Sequence, residues 1–140
     1  MARYNNVIKF EDNSKEVVDT LNDAIRAWLH EAGGEIAGQA ARNSRVDSGQ
    51  LKGSWKYVVK ETRNEATIGS PLENAIWEEF GTGEYAVNGD GRKTPWIYQD
   101  RKGNYHRTTG KTPNHTLERA FNSKQKAVEN QLKKILRGMR

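Results

Sequence analysis

The stretch Ala75-Ile76-Trp77-Glu78-Glu79-Phe80-Gly81-Thr82-Gly83 sets two carboxylates and three large apolar side chains directly before a glycine turn. Adjacent carboxylates invite an acid/base reading. On a helix, however, consecutive residues point about 100° apart, so Glu78 and Glu79 do not converge on one substrate. No Asp or His lies near them at ligand spacing in the sequence. His30-Glu31 begins like a zinc-protease motif, but the second histidine would fall at position 34, which is Gly. His106 and His115 are isolated, and two histidines without a third ligand make no metal site. Ser48-Gly49 lacks the glycine-flanked elbow of a serine hydrolase. Gly110-Lys111-Thr112 ends like a phosphate loop, but position 105, where the first glycine belongs, is Tyr. These residues lead to no catalytic residue, no metal and no cofactor. Glu78 and Glu79 are read as surface or interface charges.

The totals point the same way. The 140 residues suffice for one domain, expected to span 1–140 with 1–13 as a flexible arm and 84–112 as an extended loop or hairpin. Hydrophobic residues make up only 34% and the mean hydropathy is −0.96, so a small core completed by neighbours is expected. There is no cysteine, hence no disulfide and no thiolate cluster. No apolar run has signal-peptide or membrane-span length. The reading is of a soluble chain, made in place, with no membrane partner. The net charge of +5 is unevenly spread. The first 100 residues carry 12 Lys and Arg against 16 Asp and Glu, net −4; the last 40 carry 11 against 2, net +9. A basic end on an acidic body suits a nucleic-acid surface, head-to-tail pairing of copies, or a solvated face.

The elements follow from periodicity. Val7-Ile8-Lys9-Phe10 reads as a short strand or a docking arm. Asn13 or Ser14 caps a long helix, whose apolar positions run from Val17, Val18 and Leu21 through Ile25, Trp28 and Leu29 to Ile36 and Ala40. Gly33-Gly34 inside it marks a bend or a close backbone approach, since glycine costs a helix about 1 kcal/mol. Asp47-Ser48-Gly49 is turn chemistry. Trp55, Tyr57 and Val59 alternate as a strand, and 66–70 return as its partner. Leu72, Ile76, Trp77 and Phe80 share one side of a short helix, which they are expected to anchor to the core. On that basis Phe80→Ala would cost about 3–5 kcal/mol, while Glu79→Ala would spare the fold and weaken assembly. Residues 95–99 and 104–108 flank a glycine-containing turn as a second hairpin. Thr109–Asn114 is a linker and cap. Leu117, Ala120, Phe121, Val128, Leu132, Ile135 and Leu136 then form the core face of a final helix, whose other face carries Lys124, Lys126, Lys133, Lys134 and Arg137. The order helix, hairpin, short helix, hairpin, helix is an α+β fold: a small antiparallel sheet of hairpins against two long amphipathic helices.

So small a core cannot hold every ring in the chain. Trp77, Tyr85, Trp96 and Tyr98, with Glu78 and Glu79, are the candidate subunit contacts.

Three blocks of the sequence resemble a known family. They are Val46-Asp47-Ser48-Gly49-Gln50-Leu51-Lys52-Gly53-Ser54-Trp55, then Ala75 to Gly83, then Gly110-Lys111-Thr112-Pro113 leading to Leu117 and Ala120-Phe121. In that order they are similar to blocks of the gene-product-ten-like neck and tail proteins of long-tailed phages, over residues from about 40 to 122. Ser48 stands where Thr is commoner and Trp77 where Tyr is frequent. The resemblance implies a non-enzymatic virion protein of the head–tail joint or upper tail, assembled in the host cytoplasm. It implies a neck, tail-completion or tail-terminator role in a homo-oligomeric ring between head connector and tail tube. The partners would be other copies, other neck and tail proteins, and genomic DNA passing non-specifically through the lumen. Asp47, Gly49, Leu51, Phe80, Gly81 and Pro113 would be the structural motif, and Lys133, Lys134 and Arg137 would face DNA. The alternative is a small basic nucleic-acid-binding protein acting through its final helix.

Overall fold

The computed structural model describes residues 11–45, 49–100 and 102–139. The expected strand or arm at Val7–Phe10 and the Asp47-Ser48 turn lie outside them. Helix α1 (Ser14–Asn43) leads to the strand pair β1 (Lys56–Lys60) and β2 (Glu65–Gly69). Next come a short helix α2 (Asn74–Phe80), a second strand pair β3 (Trp96–Gln99) and β4 (Tyr105–Thr108), and helix α3 (Thr116–Gly138). Each hairpin is antiparallel, with Tyr57 opposite Ile68 and Tyr98 opposite His106. The fold is α+β with terminal helices, as the periodicities require. The hairpins stay separate rather than joining one sheet.

Helix α1 is the spine. The first hairpin and α3 both pack on it. Its buried side chains are Leu29, Ala32, Ile36, Ala37 and Ala40, so alanines dominate and the helices approach closely. Ile36, Ala40 and Ala120 form the centre, walled by Trp55, Ile68 and Leu117. The Trp28 indole donates to the Val128 carbonyl at 2.7 Å, and the Asn43 amide donates to the Thr116 carbonyl at 3.3 Å. Those two bonds fix α3 antiparallel to α1. Gly33 is a close approach rather than a bend: a Cβ there would sit 2.8 Å from the Tyr57 ring. The Trp55 indole donates to Ser44 Oγ, which in turn donates to the Ala40 carbonyl and closes the end of α1.

Burial stops short of the apolar spacing. Val17 and Val18 are exposed, because the elements packed on α1 fully bury it only from Leu29 onward. Phe121 and Leu136, expected in the core face of α3, are also exposed. Ala120 and Val128 carry that contact instead.

Candidate functional site

Helix α2 is turned the opposite way to the expectation. Ala75 and Glu78 are its buried residues. Ile76, Trp77 and Phe80 are 60%, 46% and 46% exposed. Glu78, expected as an interface charge, is 2% exposed. An ionised carboxylate can be buried only with partners, and the fold supplies two. Arg45 Nε donates to Glu78 Oε2 at 3.1 Å, and Lys111 Nζ pairs with Oε1. The Arg45 guanidinium also donates to the Thr112 carbonyl at 2.7 Å, and the Asn114 N–H donates to the Glu78 carbonyl at 2.6 Å. Glu78 therefore ties the end of α1 and the 109–114 segment to α2.

Glu79 points to α3. Its carboxylate accepts the N–H of Leu117 at 2.7 Å and of Glu118 at 3.0 Å. The first N–H groups of a helix have no intrahelical partner, and an anion there also meets the positive end of the helix. The cap thus arrives from 38 residues upstream rather than from Thr109–Asn114. Where the sequence suggested that Glu79→Ala would spare the fold, these two bonds lead us to expect a loss of stability. Glu79→Gln is expected to lower stability by about 1 kcal/mol and Glu79→Ala by about 1–2 kcal/mol in urea denaturation, the scale of a lost helix cap.

The glycines explain why the chain can come so close. Gly81 (φ +75°) lies where a Cβ would meet the Lys111 carbonyl at 2.8 Å and Pro113 Cδ at 2.9 Å. The Thr82 N–H donates to the Lys111 carbonyl, the Lys111 N–H to Thr82 Oγ1, and the Glu84 N–H to the Thr109 carbonyl. Two of the sequence blocks that carried the resemblance, Glu-Phe-Gly-Thr and Gly-Lys-Thr-Pro, are thus laced together backbone to backbone. Of the third, Gly49 takes a positive φ of 80° and Leu51 is buried, while Asp47 lies outside the described residues.

With both carboxylates facing inward, the outer side of α2 becomes a wall of rings. Trp77, Tyr85, Trp96 and Tyr98 line one open groove of about 690 Å³ with Thr82 and Lys111. Ile76, Phe80 and Val87 line a second of about 280 Å³, which shares Trp77. The structure therefore brings together four of the six predicted contact residues and withdraws Glu78 and Glu79. Arg92 sits 5.8 Å over Trp96, and His106 stacks on Tyr98 at 5.3 Å. His106 is in turn held by Asp100 at 2.7 Å. The hydrogen bond from His106, with the N–H of Asn104, holds the Asp100 carboxyl below its usual range. Lys133, Lys134 and Arg137 are exposed along α3.

The fold also brings His115 to Glu79, which linear spacing did not suggest. Glu79, His115 and Glu118 place ligand atoms within 4.8 Å of one another. Both Glu79 oxygens already accept helix N–H bonds, and the positive end of α3 opposes a cation there. His115 Nδ1 meets Glu118 Oε2 at 3.1 Å, which completes a helix start rather than a metal centre. Among the described residues no helix is long and apolar enough to cross a membrane.

Internal ties behind an uncovered aromatic face are the build of a structural subunit. The family model described as "Bacteriophage HK97-gp10, putative tail-component" matches residues 8–81, just over half of the chain, and the chain belongs to this HK97-gp10-like family of phage tail components. The match takes in α1, the first hairpin and α2 up to Gly81. No curated protein and no solved structure matches the chain.

Proposed function

We propose that the chain is a neck or tail-completion subunit, forming a ring between head connector and tail tube. The observation that carries this is the outward face of α2. Glu78 and Glu79 lock the inner face, so Ile76, Trp77 and Phe80 are held out in water beside Val87 and Tyr85. Exposed apolar patches of this kind mark contacts between proteins. Aromatic rings are also what the centres of protein interfaces favour. Heterologous contacts between copies close rings, and other neck and tail proteins then stack on either side of the ring.

Native mass spectrometry of the full chain is expected to show closed oligomers, or rings once portal-proximal or tail-tube proteins are added. Phe80→Asp should disperse them. Because Phe80 is half exposed, the substitution should leave the circular dichroism spectrum unchanged and cost no more than about 1 kcal/mol in denaturation. The core-residue cost expected from sequence does not apply. A strict monomer absent from purified virions, or rings indifferent to Phe80→Asp, would overturn the proposal.

A further inference from the structure

The basic helix α3 needs an acidic counterpart if copies pair head to tail, and Glu78 and Glu79 are internal. Another acidic row exists. Glu16, Asp19 and Asp23 recur along the exposed N-terminal half of α1 at helical spacing. Asp23 lies nine residues before buried Ala32, which is two and a half turns, so it faces away from that side of α1, while Asp19 lies five full turns before buried Ala37 and shares the side on which the first hairpin packs farther along; Asp23 also pairs with Arg26 at 3.5 Å. Helix α3 carries the mirror arrangement. Lys126, Lys133 and Arg137 share one exposed face, and Arg137 lies nine residues beyond buried Val128. The two charged rows therefore look outward from opposite sides of the α1–α3 pair.

Their heights also agree. The Trp28–Val128 and Asn43–Thr116 bonds set the antiparallel alignment. Continued along the helices, it places Lys133 level with about Asp23, and Arg137 level with about Asp19. A copy related by rotation about an axis along the helix pair would bring its α3 row against the α1 row without a shift along that axis. We infer that Asp19 and Asp23 on α1 of one copy receive Arg137 and Lys133 on α3 of the next. This rests on the ring reading and specifies its contact. The occupant is a second copy of this chain, because charge and height match at these two pairs. Exposed ion pairs add little affinity each, so the rows set register and orientation while the aromatic face supplies apolar burial.

The test is charge reversal with a swap. Asp19→Lys with Asp23→Lys, and separately Lys133→Glu with Arg137→Glu, should each weaken self-association by about tenfold or more in native mass spectrometry and light scattering. All four positions are exposed, so each variant keeps its circular dichroism spectrum. A one-to-one mixture of the two variants should assemble again, with the copies alternating. The chain has no cysteine, so Asp23→Cys mixed with Lys133→Cys should also cross-link between copies on oxidation, and neither should do so alone. Oligomers indifferent to both reversals, or a mixture that fails to reassemble, overturn this contact and leave the ring reading standing. A wild-type chain that stays monomeric at every concentration and with every partner overturns both. Should Lys133→Glu with Arg137→Glu abolish retention on duplex DNA while the mixture restores nothing, the α3 row meets nucleic acid and the inferred contact is wrong.

Discussion

Gly83→Ala is expected to destabilise the protein by about 2–5 kcal/mol, or to prevent folding, through two additive costs. Gly83 has φ +62°, where an L side chain costs about 1–2 kcal/mol. A Cβ there would also lie 2.7 Å from Gly110 Cα and 2.8 Å from the Thr109 carbonyl carbon. Those are backbone atoms, so no rotamer change relieves them, and overpacking of this kind costs about 1–3 kcal/mol. Gly110→Ala should behave alike, since its Cβ would meet Thr82 and Gly83 across the same seam. Gly89 is the control. It has φ +70° but nothing within 4 Å of a Cβ. Gly89→Ala should therefore show only the backbone term, about 1–2 kcal/mol. The urea midpoints at constant slope separate the cases. Equal losses at positions 83 and 89 would mean that the Thr82–Lys111 seam is not rigid.

That seam shows which parts of this protein could be read in advance. The element order was legible because each element follows a local rule. Long 3.6-residue periodicities gave α1 and α3, alternation between turn residues gave both hairpins, and Gly33 marked the place where Tyr57 crosses. The orientation of α2 was not legible. An apolar-inward rule assigns Ile76, Trp77 and Phe80 to the core, and it fails because the carboxylates on the other side of the helix are claimed by distant cations. Arg45 and Lys111 each lie 33 positions from Glu78. No local pattern joins them; only the place of Arg45 beside one of the blocks that carry the resemblance, and of Lys111 within another, could have hinted at it. The extent of burial along α1 was illegible for a related reason. Periodicity shows which face is apolar, while the reach of the covering elements decides where burial ends. Val17 and Val18 lie beyond that reach.

Removing Glu78 is expected to separate the junction's contribution to folding from the surface it presents. Glu78→Gln keeps the shape of the side chain but gives up two charge-assisted bonds, so a loss of about 2–3 kcal/mol follows. Arg45 and Lys111 are 43% and 46% exposed, so both can turn to water once freed and neither is stranded. The reverse experiment is harsher. Lys111→Met alone should cost about 1–2 kcal/mol, since Arg45 still faces the carboxylate. Arg45→Met with Lys111→Met leaves a buried anion without a cation, which costs about 3–5 kcal/mol. The double variant should therefore lose more than its two single variants together, the mark of groups that share one partner. Simple additivity would mean that Glu78 is better solvated than its burial indicates. The salt response gives an independent check. A pair at a carboxylate 2% exposed is weakly screened, so the Glu78→Gln loss should hardly change between low and high ionic strength. The part of assembly that the exposed rows of α1 and α3 contribute should weaken over the same range. If both quantities moved together, the junction would be part of the contact between copies; if only assembly moved, Glu78 acts within the chain by fixing the helix that turns Trp77 and Phe80 outward.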